Sequence, residues 1–274
     1  MTTTAPHRTD AALSVDEIDV TASDRVEDID EALMVVHEGF VEAGYLAPKP
    51  SGRRMHAAYL NPGTIFFVAR IDGETVGTCA LIADGPFGLP SDRAFAEEND
   101  ALRETTRGTI YEAGSLAVRS EYRRSTRRIV MRLFAAMTRV ALVEFPEAPV
   151  PLAVTPENRR FYAAMAGTIE LAGPRPLYGA PAVLLQTGAN ALAAHCALRT
   201  TPTQRAMDGL HTEMSPSWFT DRRSHLPLPS GWLNTLLDEQ GVTDQLAAQL
   251  RLLAETYPDV LSRILAAARS RAAA

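Results

Sequence analysis

The chain has 274 residues, 46% of them apolar and 22% charged, enough to bury one sizeable core and leave material for a smaller appendage. Its net charge of −6 excludes a general nucleic-acid binder, which needs a basic field to neutralise phosphates, and confines any anionic ligand to a local basic patch. Two cysteines, Cys79 and Cys196, are too few for a disulfide framework and lack metal-ligand spacing, so they read as core thiols of a cytoplasmic protein without a metal centre.

The polar stretch from Met1 to Val15 has no apolar signal core and reads as a disordered lead over residues 1–16, and no later run approaches the roughly 20 apolar residues of a membrane span. Glu17 to Val20 fits a short strand. Arg25 to Ala43 fits a helix, because Ile29, Leu33, Val36 and Phe40 recur on one face, and Gly44 closes it. A short helix is expected around Arg53 to Leu60. Ile65 to Ile71 and Thr75 to Ala83 are strand-like runs joined by Asp72-Gly73, a strong hairpin signal. Asp92 to Thr106 has the composition of an exposed helix, Thr109 to Val118 of a strand, and Ile129 to Val143 of a long amphipathic helix ended by Pro146 and Pro149. Pro151 to Thr155 then reads as a strand, Asn158 to Met165 as a helix, and Thr168 to Ala172 and Ala182 to Thr187 as two final strands. This mixed α/β order with short connections suits a single twisted sheet covered by helices over residues 17–188.

From Ala189 the character changes. An alanine-rich stretch to Leu198 and a polar, proline-containing segment to Pro229 precede three helical signals: Gly231 to Gln240, a helix after Thr243 carrying Leu246, Leu250 and Leu253, and one from Pro258. Residues 189–274 are therefore expected to form a helical extension. Capping a pocket, mediating a homodimer and docking a partner all fit it equally.

Along the strand at Thr109 to Val118 side chains alternate faces, so Ile110, Glu112, Gly114, Leu116 and Val118 share one face provided no bulge intervenes. A carboxylate among apolar residues is pushed toward neutrality, the condition for a general base that takes a proton from an ammonium group. Pairing with an arginine, or a bulge at Gly114, would instead make Glu112 structural. Just beyond, Arg119, Arg123, Arg124, Arg127, Arg128 and Arg132 form a basic patch in an acidic chain, at a helix start where an anion is favoured. Arg128 and Arg132 also fit a solvated helix face, whereas Arg123 and Arg124 sit in the turn.

Leu116-Ala117-Val118 followed by Tyr122-Arg123 and a long helix resembles the acyl-CoA-binding segment of GNAT acetyltransferases. In that family the turn reads Q/R-x-x-G-x-G/A. Here Arg123 occupies the first position, but Thr126 and Arg128 replace the small residues. Phe66 to Thr187 is more similar to the N-acyl amino acid synthases, a GNAT-like branch related to the acyl-homoserine lactone synthases. The segments that carry this are Val76-Gly77-Thr78 with Leu81-Ile82 and Gly88-Leu89-Pro90-Ser91-Asp92; Tyr111-Glu112 through Ser115 to Val118; Val154-Thr155-Pro156 with Phe161-Tyr162; and Gly173-Pro174-Arg175 with Tyr178 and Pro181 to Leu185. Glu157-Asn158 departs from the basic or histidine residue expected after Pro156.

The resemblance implies a GNAT-like fold and transfer of a long-chain acyl group from an acyl carrier protein to the α-amine of an amino acid, with Glu112 as the catalytic carboxylate. No tightly bound cofactor is implied. Leu116, Ala117, Val118, Arg123 and Arg124 are expected to hold the acyl-phosphopantetheine arm, or acyl-CoA in its place, and the arginines to meet an acidic carrier surface. Ser115, Tyr162 and Tyr178 are candidate pocket residues. Two other functions are compatible with the chain: N-acetyl transfer from acetyl-CoA to a small amine, and a binding protein that keeps the fold without catalysis.

Overall fold

The structure is a computed structural model that describes residues 17–23, 25–213, 248–252 and 255. Strands β1 (Asp19–Ser23), β2 (Ile65–Ile71), β3 (Glu74–Ala83) and β4 (Tyr111–Val118) pair in that order as an antiparallel sheet. At the β2–β3 turn Asp72 and Gly73 both take positive φ, 51° and 83°, the backbone whose twist matches a two-residue hairpin. The central strands are covered on both faces, which is why they read as nearly unbroken apolar runs. On one face Phe66, Val68, Ala80 and Ile82 pack with Ile29 and Leu33 of α1 (Val26–Glu42). On the other, Phe67, Ala69, Cys79 and Leu81 join Ile129 and Leu133 of α3 (Thr126–Glu144).

A second antiparallel sheet has the order β5 (Pro149–Val154), β7 (Ala180–Gly188), β6 (Ile169–Leu177). The expected single sheet is therefore split: β4 and β5 lie side by side but belong to different ladders. Strands β6 and β7 are longer than their sequence suggests, turning at Tyr178-Gly179 with φ of 49° and 82°. The strand expected over Thr168 to Ala172 thus extends through Pro174 and Pro176. They are accommodated because β6 is an edge strand, where a missing N–H breaks no central ladder.

Several boundaries shift for identifiable reasons. The helix expected at Arg53 to Leu60 is only a 3-10 turn, Ala57–Leu60, capped by His56 Nδ1, which accepts from Ala58 N–H at 3.1 Å. Upstream, the chain is drawn onto α1 by an Arg53–Asp30 ion pair at 2.5 Å and by Arg54 N–H donating to Leu33 O at 3.1 Å. Helix α2 (Asp92–Thr105) is exposed on most of its length, but Phe95 and Asn99 are buried beneath it. Helix α3 starts earlier than expected, after a 3-10 segment at Ser120–Ser125, and α4 (Arg159–Ala166) follows β5.

The extension begins with α5 (Ala189–Ala197) and α6 (Pro202–Glu213), the latter within the polar, proline-containing segment. Leu192, Cys196, Met207 and Leu210 enter the same core as α3. Residues 248–252 and 255 are helical, and Leu250 packs against the cluster built on α1 and β2. The helices expected at Gly231 to Gln240 and from Pro258, with Leu246 and Leu253, lie outside the described residues. Among the described residues no helix is long and apolar enough to cross a membrane.

Candidate active site

The gap between the sheets holds a cavity of about 180 Å³ lined by Ala113 to Leu116 of β4, Leu152 to Val154 of β5 and Thr155 after it, together with Phe134, Met137, Tyr162, Phe40 and Tyr45. A bulge in β4 shapes it. Thr78 pairs with Ala117 and Ala80 with Gly114, so Cys79 faces two residues, Ser115 and Leu116, and Ser115 takes φ 53°. Ser115 and Leu116 have no partner in the ladder and line the cavity, leaving their backbone available to a ligand. The bulge also corrects the expected facing of β4. Glu112 and Gly114 share the α1 side, but beyond the bulge it is Ala117 that packs on Val35 and Val36 of α1, while Leu116 and Val118 turn to the α3 side.

Glu112 is 3% exposed. Its Oε2 accepts the Ser91 N–H at 2.9 Å and the Ser91 hydroxyl at 2.7 Å. Ser91 is held in turn by Asn99 Nδ2, which donates to Ser91 Oγ at 2.8 Å and to Asp92 Oδ1 at 2.7 Å. Asp92 Oδ2 accepts from Leu89 N–H and pairs with Arg103, which also pairs with Asp84. Oε1 has no hydrogen bond among the described residues. It lies 3.9 Å from where a Cβ on Gly114 would stand, at the cavity wall. Burial pushes this carboxyl up to about 7; the Ser91 bonds oppose the rise, Asp92 adds to it and Arg54 opposes it. One oxygen is thus anchored, and the other is available for a proton at neutral pH.

Beside it sits a polar cluster whose members are far apart in sequence. Arg54 Nη1 donates to Tyr59 Oη at 2.8 Å, and the Tyr59 hydroxyl is hydrogen-bonded to Ser115 Oγ. The Arg54 guanidinium stands over the rings of Phe40, at 4.6 Å, and Tyr178, at 5.1 Å. Burial, with Arg54 and Arg93 nearby, pushes His56 down to about 3, so its ring is neutral. With Nδ1 accepting from Ala58, Nε2 carries the proton and donates to Tyr178 Oη at 2.7 Å; that hydroxyl donates to Pro90 O at 2.9 Å. Burial also holds the Tyr178 phenol well above its usual range.

Of the residues expected at the site, Ser115, Leu116 and Tyr162 line the cavity and Glu112 approaches it through Oε1. Tyr178 belongs to the Arg54 cluster, and Ala117 and Val118 pack elsewhere. Arg123 and Arg124 lie on the 3-10 segment before α3, where Arg123 pairs with Glu42 of α1; Arg119 pairs with Glu38 at 3.1 Å, and Arg127 bonds Thr203 at 2.7 Å. Sequence reasoning missed Ser91, Asn99, Arg54, His56 and Tyr59. The Gly88 to Asp92 segment was a visible motif, but nothing local shows that it delivers two donors to a residue 21 positions away. A larger open cleft of about 840 Å³ lies along Tyr111, Phe145 and Gln186, yet Glu112 leaves β4 on the opposite face.

The family model described as "N-acyl amino acid synthase FeeM" matches residues 31–188. No curated protein matches the chain. Among solved structures, FeeM, an N-acyl amino acid synthase from uncultured soil microbes, is 22% identical with a TM-score of 0.52, covering 72% of this chain and 98% of its own. The CoA-dependent acyl-homoserine lactone synthase BjaI is 17% identical with a TM-score of 0.48, covering 71% and 99%. An acyl-CoA N-acyltransferase from Pseudomonas aeruginosa is 13% identical with a TM-score of 0.45, covering 62% and 98%. The family match spans both sheets apart from β1, with the bulged strand and Glu112, and by it the chain belongs to the N-acyl amino acid synthase FeeM family, as an acyltransferase with a GNAT-like fold.

Proposed function

We propose that this acyltransferase joins a long-chain acyl group, presented as a thioester on the phosphopantetheine arm of an acyl carrier protein, to the α-amine of an amino acid, with Glu112 as general base. The observation that carries the proposal is Glu112 itself: a buried carboxyl with one oxygen fixed by Ser91, the other open beside a cavity, and a proton affinity near neutrality. Oε1 takes a proton from the acceptor ammonium. The amine then attacks the thioester carbonyl carbon, forming the C–N bond, while the backbone N–H of Ser115 or Leu116, the two residues without a partner in the ladder, receives the developing oxyanion. The C–S bond breaks, the sulfur leaves as thiol with the second amine proton, and Glu112 returns its proton to solvent.

The split between β4 and β5 suits the arm, because it offers a slot bordered by backbone that no ladder occupies. On the 3-10 segment before α3 Arg123 and Arg124 are exposed, and the surface pair of Arg123 with Glu42 is weak enough to be exchanged for an acidic carrier surface. We assign the catalytic unit to residues 17–188, with the helices from Ala189 as an extension that begins by completing its core.

Expression in a bacterial host followed by mass spectrometry of lipid extracts tests the proposal. A series of N-acyl amino acids present with the wild-type protein and absent with Glu112→Gln is expected. Acetylated amines in their place, or no new amide from abundant soluble protein, would contradict it.

A further inference from the structure

Arg54 is 8% exposed, yet no carboxylate pairs with it among the described residues. Its recognised contacts are one hydrogen bond to Tyr59 and the faces of two rings, and a neutral His56 and a protonated Tyr178 supply no negative charge. A desolvated guanidinium with idle donors is costly unless an anion completes it. None of its nitrogens is both enclosed and unpaired, so the idle donors open onto accessible space. Two of its neighbours point that space toward the reaction: Phe40 lines the cavity, and Tyr59 bonds Ser115, which does so too. Arg54 is also close enough to favour the charged form of Glu112. By contrast Arg53, Arg70, Arg103 and Arg175 are each paired with a carboxylate.

We infer that Arg54 binds the carboxylate of the acceptor, so that the protein selects α-amino acids with a free carboxyl group and rejects the corresponding amines. This rests on the acyl-transfer reading and names the residue that sets its acceptor class. An α-amino acid carries its carboxylate and ammonium on one carbon, so holding the first on Arg54 delivers the second to Glu112 Oε1. The planar fork of Arg54, steadied by Tyr59 and by the rings of Phe40 and Tyr178, suits a two-point carboxylate contact. Specificity then follows from leaving a buried cation unpaired whenever an amine without a carboxylate enters.

The test pairs L-tyrosine with tyramine and L-leucine with 3-methylbutylamine. Calorimetric binding to the full-length protein is measured without donor, and turnover with dodecanoyl thioester on an acyl carrier protein and on coenzyme A. The amino acids should bind and react about 10- to 100-fold better than their amines. Arg54→Gln should remove that preference by raising KM for the amino acids far more than for the amines, and should move the acidic limb of kcat/KM to higher pH, because a positive charge that lowers Glu112 is gone. Arg54→Lys should restore part of the preference. Wild-type protein that binds amine and amino acid alike, or an Arg54→Gln protein that loses both equally with an unmoved limb, overturns the inference. If Arg54→Gln does not fold, the wild-type comparison decides it. Selective amino-acid binding with no acyl transfer from either donor would uphold the carboxylate site and sink the acyl-transfer reading instead.

Discussion

Glu112 combines two demands that usually conflict. As the proposed base it must be buried enough to hold a proton near neutral pH, and fixed enough to take that proton from one direction. The Ser91 N–H and hydroxyl meet the second demand by engaging Oε2 alone. Ser91→Ala removes one bond that favours the carboxylate, so the acidic limb of activity should move to higher pH with kcat reduced; a pH profile identical to wild type would show that the hydroxyl does not tune the base. The same shift is visible in stability. A folded-state value of about 7 against about 4.3 in the unfolded chain means that the folded protein keeps a proton the unfolded chain has released between those values, so stability falls as pH rises through that window. Glu112→Gln removes the titration. Urea unfolding at pH 4.5 and 7.5 should therefore show wild type losing on the order of 3 kcal/mol relative to the glutamine variant between the two. At this scale the sequence displayed the carboxylate among apolar residues, but not Ser91, Arg54 or Tyr59, since each reaches the site through contacts that only the folded chain makes.

Among the elements, the periodic ones were legible and the irregular ones were not. Strands β2 and β3 and helices α1 and α3 announced themselves through apolar period and the Asp72-Gly73 turn. The bulge at Ser115 had no such signal, because a serine at positive φ is chosen by the ladder on either side and not by its own preference. That one extra residue reverses the facing of Leu116 and Val118 and frees the backbone that walls the cavity. The loop before α2 is equally specific. Gly88 has φ of 62°, and a Cβ there would lie 2.5 Å from Asp92 Oδ2. Gly88→Ala should destabilise the protein by about 1–2 kcal/mol and displace the Asp92–Ser91 support of Glu112. Thermal unfolding and activity measured together check this, and an unchanged melting temperature would contradict it.

At the scale of the whole molecule, two antiparallel sheets share a core among the described residues yet part between β4 and β5, and the parting is where we propose the chemistry. The split was invisible in sequence because both flanking strands carry ordinary strand patterns; what distinguishes them is which neighbour each pairs with. The arginines before α3 make a local basic surface on an acidic chain, and it should act mainly through encounter. Replacing Arg123 and Arg124 by glutamate should weaken carrier-protein binding at low salt while changing unfolding stability by less than about 1 kcal/mol, since exposed ion pairs contribute little; unchanged affinity at low salt would reject the docking role. The central claim is more directly tested by the rate of amide formation by purified protein as a function of pH, for wild type and Glu112→Gln, with saturating donor thioester. General-base catalysis by Glu112 predicts a wild-type rate that climbs through about pH 7 and levels above it, and a glutamine variant slower by about 10²- to 10⁴-fold with that limb missing. A Glu112→Gln protein that forms amide at the wild-type rate, with the same limb, would contradict it.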